Sequence, residues 1–306
     1  MISSHYLYAV TILKNHSLKA DLLLIIVTLL AAISWMFSKE AVNEMPPLLF
    51  IGSRFLLAGL FLALFSKRSL TGLNSKQWLA SAQVGILFGM SMCLWIFGLF
   101  HAKNLGEGAF ITSIASILVA PISYFIFKAK VEASNWIALP VAFVGLGLLG
   151  LENGFHPEPS QLFFLGAAVL LSLTFILNGR AAARMSATAL TAISLSFVGI
   201  MAIIISASTE TWPTDITASM WKWLLLSALI GTAARFLIQT YAQGLTTPSH
   251  AAVIMILEPI WTALIAAYWF NEKMAILQLM GCGLIFAALI INRWSNVRMW
   301  LKTKES

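Results

Sequence analysis

Ten stretches of this chain are long and apolar enough to cross a bilayer, and that number leaves few folds open. They run at about 21–38, 46–66, 77–100, 107–127, 133–151, 161–183, 188–208, 219–242, 248–270 and 275–293. A helix needs about 20 residues to span hydrocarbon. Only three charged residues lie well inside these stretches, Arg54, Arg235 and Glu258. A charge at membrane depth costs roughly 2.5–3.5 kcal/mol on insertion scales, so an unpaired one is rarely kept without a use. The chain is 59% hydrophobic and 10% charged, where ordinary soluble domains carry about 25% charged residues. Its solvent is therefore lipid. Backbone groups in lipid are satisfied within the segment, so uninterrupted runs mean helices, not the short alternating strands of a barrel. The expected fold is an all-α membrane protein with ten transmembrane helices.

The formal net charge of +7 does not point to nucleic acid, because the basic residues fall in short loops and at both termini. With the N terminus in the cytoplasm and loops alternating, thirteen Lys and Arg lie inside, from Lys14 to Lys304. Four lie outside, Lys39, Lys103, Lys222 and Lys273. That asymmetry predicts a multi-pass protein of the cell (inner) membrane with both termini cytoplasmic. The expected partners are the bilayer and a small-molecule substrate, with no nucleic acid, in a monomer or homodimer.

The two halves echo each other. The fourth and ninth spans each carry a mid-helix proline, Pro121 and Pro259, and each is followed by a Gly-bearing span with Gly145 and Gly147 or Gly281 and Gly283. Trp78 and Trp223 open the span before each proline span. Five spans per copy is odd, so the second copy is inverted relative to the first, an architecture recurrent in secondary transporters. The expected division is a cytoplasmic extension over 1–19, repeats over 20–152 and 153–294, and a cytoplasmic tail over 295–306, with a break near Asn153 to Pro159.

Each proline removes a helix hydrogen bond, to the carbonyl of Ile117 or of Met255, and so marks a hinge or a polar lining. Glu258 directly precedes Pro259, with His250 and Thr262 on its helical face and Trp261 beside it. It is a candidate proton or substrate site. Ser227, Gly231, Arg235, Gln239 and Gln243 recur every four residues, a polar stripe suited to facing a bundle interior. Arg235 suits recognition of a carboxylate, or a fixed ion pair with Glu258. Arg54 is expected to snorkel outwards or to pair with Glu40 or Glu44. Ser116, Asn178, Trp35, Trp95 and Trp261 are further candidates for lining a cavity. Gly85 and Gly89 permit close helix contact, within the chain or between subunits. Cys93 and Cys282 read as packing residues. The five His lack ligand spacing and no phosphate-binding loop occurs, so neither metal nor cofactor is expected.

Taken together, these positions resemble the EamA family of the drug/metabolite transporter superfamily over residues 20–293. The matching positions are Trp35 and Lys39, Pro47 and Arg54, Pro121, Glu258-Pro259, and Glu272 with Gly281 and Gly283. The chain departs from the pattern at Ala120, which stands where the second copy has Glu258, and at Glu132, an early loop acid. The sixth span has no counterpart of Trp35 and the seventh none of Arg54. The resemblance implies an inner-membrane exporter with a central cavity and the fifth and tenth spans at its periphery, and it leaves the solute open. The expected function is secondary export of amino acids or related small metabolites by alternating access, with a proton as candidate coupling ion. The alternatives are efflux of hydrophobic cationic drugs and, from another class, a membrane-embedded lipid-modifying enzyme. The latter is disfavoured because the ionisable residues lie at mid-depth and the histidines are scattered.

Overall fold

A computed structural model describes residues 3–101, 105–151, 158–215, 217–269 and 275–302. Residues 153–157, Lys103, Glu272 and Lys273 lie outside the described residues, as does the side chain of Lys39. The regular structure among the described residues is helical throughout. In chain order the helices are α1 (Ser3–Val42), α2 (Pro47–Phe65), α3 (Lys67–Thr71), α4 (Ser75–His101), α5 (Leu105–Phe125), α6 (Ala133–Gly150), α7 (Ser160–Ala182), α8 (Ala187–Thr209) and α9 (Ala218–Ala228). A π-helical turn, π1 (Leu229–Ala234), follows, and then α10 (Arg235–Gln243), α11 (Pro248–Met255), α12 (Glu258–Trp269) and α13 (Ile276–Lys302). Among the described residues eight helical spans are long and apolar enough to cross a membrane, and Phe110–Phe125 and Ile276–Asn292 are shorter apolar helices.

The helix starts carry legible chemistry. Before α4, Asn74 and Gln77 exchange side-chain hydrogen bonds with each other's backbone N–H, a reciprocal cap. Thr217 and Thr247 cap α9 and α11 by accepting from the N–H of Met220 and His250. Helix α2 begins with Pro47 at its first position, where no N–H is needed. Its next two amides, on Leu48 and Leu49, donate to the carboxylate of Glu210 at 2.8 Å each. A residue 161 positions beyond Leu49 thus closes a helix end that lacks its own cap.

Helix α1 is continuous from Ser3 into the first span. Two expectations change at the level of single elements. The eighth span is interrupted by π1. The ninth is broken at Ile256 and Leu257 and not merely kinked, whereas α5 runs through Pro121 without interruption.

Packing ties the two halves together pairwise. Helix α2 lies along α8, α6 along α13, α4 against α7 and α8, and α5 against α7 and α11, while α1 crosses to touch α9 through α12. Between α6 and α13 the contact is backbone to backbone. A Cβ on Gly281 would stand 2.6 Å from the carbonyl oxygen of Gly145, so both positions need glycine. Gly85 and Gly89 face Ser194, Phe197 and Met201 of α8, which makes theirs a contact within the chain. Among the described residues two large buried apolar clusters form the core, one around α5, α6 and α11–α13, the other around α2, α4 and α8, with a small third one of Val119, Ile176 and Ala252; Trp95 packs against both large ones. Leu60, Leu64, Leu162, Ile204, Ile276 and Phe286 remain exposed on the outside, where lipid is their natural solvent.

Candidate functional site

The ionisable residues of mid-span meet where two helices lose regularity. Arg235 follows directly on π1, and Glu258 opens α12 after the break in the ninth span. Their side chains form an ion pair, Arg235 Nη2 to Glu258 Oε2 at 3.1 Å. Both remain partly accessible, at 17% and 21%. The carboxylate lies at a helix N-terminus, where free N–H groups favour negative charge. The Arg235 guanidinium rests on the Phe236 ring at 4.8 Å, and its buried Nε finds no acceptor.

Further along α10 the polar stripe carries more unfilled valence. Among the described residues Gln239 Oε1 and Gln243 Nε2 find no partner though buried, and neither does Ser227 Oγ before the π turn. Gln243 Oε1 accepts from Asn178 Nδ2, which also approaches Thr240 Oγ1 at 3.2 Å, so α7 and α10 are joined at this level. Buried polar atoms lacking partners are rare in a finished core.

Leu22, Ile25, Ile26 and Leu29 are exposed along one side of α1. At about 100° per residue, Trp35 lies roughly 130° round from them, on the side of buried Leu24 and Thr28. Trp35 is nonetheless 42% exposed. Its ring meets Trp95 edge-on at 5.9 Å. Two turns earlier, Thr28 Oγ1 accepts from Trp261 Nε1 at 3.1 Å, which ties α1 to α12 one turn after Glu258. Trp35, Trp95, Trp261, Arg235 and Glu258 are thus linked through α1. Ser116, half-buried on α5, forms no hydrogen bond among the described residues, and Thr262 bonds back to the carbonyl of Glu258.

Arg54 neither snorkels nor meets Glu40 or Glu44. It is 8% exposed and donates Nε to Thr232 Oγ1 at 2.8 Å, Nη1 to Ser38 Oγ at 2.7 Å and Nη2 to Ser34 Oγ at 3.0 Å. These contacts cross from α2 to α1 and π1. Gly231 makes the junction possible, since a Cβ there would stand 2.3 Å from Ser34 Oγ. Glu44 instead accepts from Ser219 and Thr217, which hold its exposed carboxyl below its usual range. His250 also departs from expectation: Nε2 pairs with Asp21 at 2.9 Å, away from Glu258.

Asp21, Glu210, Asn135 and Asn292 were not singled out by sequence. Asn292 donates to Asn135, a buried polar link between α13 and α6. Asp21 stands at the very start of the first apolar run, where a charge reads as a boundary marker. For the other three no local pattern points to a partner. A surface cavity of about 680 Å³ lies elsewhere, lined by Lys19, Leu23, the α7–α8 junction, Leu237, Ile238 and Tyr241. It abuts α10 roughly 150° round from the Arg235–Gln243 stripe and contains none of the expected site residues.

An all-helical chain with this many apolar spans is a multi-pass membrane protein. Its sequence matches the profile of the EamA-like transporter family twice, over residues 18–151 and 159–294, and the chain belongs to that family. It is 28% identical over 281 residues to a protein of Archaeoglobus fulgidus described as an uncharacterized transporter, covering 90% of this chain and 85% of that one. It is 22% identical over 288 residues to the uncharacterized transporter YoaV of Bacillus subtilis, covering 92% and 98%. A crystal structure shares the fold with a TM-score of 0.76 at 17% identity, over 89% of this chain and 97% of that one.

Proposed function

We propose that this chain is a secondary carrier of ten transmembrane helices in two inverted five-helix repeats, exporting amino acids or related small metabolites by alternating access. The helix contacts support the repeat. Exchanging the first five spans for the last five turns the α1–α12 contact into α7–α5, and α4–α7 into α9 and α10 against α1. The α2–α8 and α6–α13 contacts map onto themselves. Membership of a transporter family favours a carrier over a lipid-modifying enzyme.

The observation that carries the reading is the Arg235–Glu258 pair at mid-span, partly accessible and with one buried N–H unfilled, together with the half-exposed Trp35 against Trp95. Arg235 offers a fork to a solute carboxylate, and Glu258 offers a counter-charge to an ammonium or a proton acceptor. Trp261, Asn178, Gln239 and Ser116 shape the path, and the break before Pro259, with Pro121 in the other repeat, supplies the hinge. The expected locale is the inner membrane with both termini cytoplasmic, as the charge asymmetry indicates.

The exposed ring of Trp35 also suits a hydrophobic cation, which keeps drug efflux as the second reading. Engagement of Glu258 by Arg235 weighs against it. Counterflow in proteoliposomes, with labelled amino acids and cationic dyes and with or without a pH gradient, separates the two. Amino-acid exchange whose pH dependence falls in Glu258→Gln is the expected result; dye movement without amino-acid exchange would refute the proposal.

A further inference from the structure

Arg54 is a buried cation whose hydrogen bonds all go to neutral oxygens, with the Phe50 and Phe55 rings beside its guanidinium. Ser38 turns its proton to the carbonyl of Ser34, and Thr232 turns its own to the carbonyl of Ser227, so both present lone pairs to the guanidinium. These are dipoles and cancel no charge. Among the described residues no carboxylate lies within ion-pair distance of Arg54. Glu40 lies roughly 140° round α1 from Ser34 and Ser38. Asp21 is roughly 20 Å away along the same helix, at about 1.5 Å per residue, and bonded to His250. An intramembrane cation without a counter-ion is costly to keep and marks a functional position.

The second arginine is close. Phe55 lies 5.4 Å from the Arg54 guanidinium and 5.8 Å from Phe236, whose ring lies 4.8 Å from that of Arg235. Like charges in a low-dielectric interior repel. Two guanidiniums thus share this part of the bundle with one carboxylate, Glu258. An arginine has five N–H donors, and Arg54 uses three, leaving one on each Nη without an acceptor. The residue beside its Ser34 partner is Trp35, itself 42% exposed.

We propose that Arg54 is a second anion-recognition residue of the carrier, and that the preferred solute bears one more negative than positive charge: an acidic amino acid or a small carboxylate without an amine. This rests on the carrier reading above and narrows its solute class. A zwitterion leaves the site with its unit of positive charge, whereas a net monoanion neutralises it. The solute carboxylate takes the two free Nη–H groups of Arg54 while the Arg235–Glu258 pair stays closed or engages a second carboxylate and an ammonium.

Glutamate and glutamine form a matched pair for the test, since they differ in charge and hardly in shape. Wild-type protein in proteoliposomes is expected to exchange glutamate at least tenfold better than glutamine. Arg54→Gln should abolish that preference by lowering glutamate exchange while leaving glutamine exchange in place, and Arg54→Lys should retain it in part. Equal loss of both solutes in an Arg54→Gln variant that melts like wild type would overturn the proposal, because a clamp between helices acts on every solute alike. If Arg54→Gln does not fold, Arg54→Lys takes its place, since it keeps the charge and loses the two-pronged fork: a glutamate preference lowered relative to glutamine supports the assignment, and an unchanged preference overturns it. Wild-type exchange of neutral or cationic solutes but of no net anion refutes the charge assignment alone. Failure to move any solute refutes the carrier reading itself.

Discussion

Removing the Arg235–Glu258 pair one partner at a time, and then both together, separates a strut from a binding site. At an effective dielectric near 20, unit charges about 4 Å apart attract by ~4 kcal/mol before desolvation is counted. Stranding one member of a fully buried pair costs about 3–5 kcal/mol, and an exposed pair is worth about 0–1 kcal/mol. With side chains 17% and 21% accessible, this pair lies between those limits. Arg235→Gln and Glu258→Gln should therefore each cost about 2–3 kcal/mol of stability. Glu258→Gln should be the worse of the two, because it leaves Arg235 and Arg54 together with no carboxylate, while Arg235→Gln leaves Glu258 near Arg54. The double variant strands neither partner and should return to within about 1 kcal/mol of wild type, so the two effects are strongly non-additive. Unfolding in detergent gives the stabilities and liposome counterflow gives the function. A site recovers stability in the double variant without recovering transport; a strut recovers both. Single variants within about 0.5 kcal/mol of wild type, or a double variant no more stable than the worse single, would refute the pairing as an energetic unit.

Three further outcomes are expected. Gly281→Ala should destabilise the α6–α13 contact by about 1–3 kcal/mol through overpacking, whereas Gly283→Ala, with nothing within 4 Å of its new Cβ, should be neutral or slightly stabilising in thermal melts. Glu210→Ala should leave the Leu48 and Leu49 amides without their acceptor and cost about 1–3 kcal/mol, with Glu210→Gln milder and hydrogen exchange faster at the start of α2. Ser219→Ala should raise the apparent pKa of Glu44 in a carboxylate NMR titration, because Ser219 is the larger cause of its depression. A depressed folded pKa means that the Glu44 contacts contribute above the unfolded pKa and fade as pH falls through the folded one, so acidification should loosen the link from Glu44 to α9 in wild type and change it less in the variant.

Much of this architecture was legible from local pattern. The apolar runs fixed helices because lipid offers a backbone no other partner, and the Asn74 and Thr247 caps sit where short polar side chains precede a run. The spacing of Arg235, Gln239 and Gln243 put them on one face, as the structure has them. Periodicity misjudged the start of that stripe: π1 inserts a wider turn, so that Thr232, five residues after Ser227, bonds to its carbonyl, and Gly231 meets Ser34. The small residues of π1 carry no signal distinguishing it from an α-turn. Likewise the prolines matched in sequence but not in effect, since α5 absorbs Pro121 while the ninth span breaks two residues ahead of Glu258.

What the sequence determined by itself was the solvent, the helices and the short list of charges that lipid cannot ignore. The tertiary structure decided whom those charges meet: Glu258 for Arg235, three hydroxyls for Arg54, Asp21 for His250, and the N-terminus of α2 for Glu210. Each partner lies on a different helix, between 16 and 229 residues away. Helical periodicity reports which way a side chain points from its own axis, and contains nothing about which other axis stands there. That is settled by packing, where close approaches such as Gly231 against Ser34 and Gly145 against Gly281 set the spacing between helices and so the reach of every polar group between them.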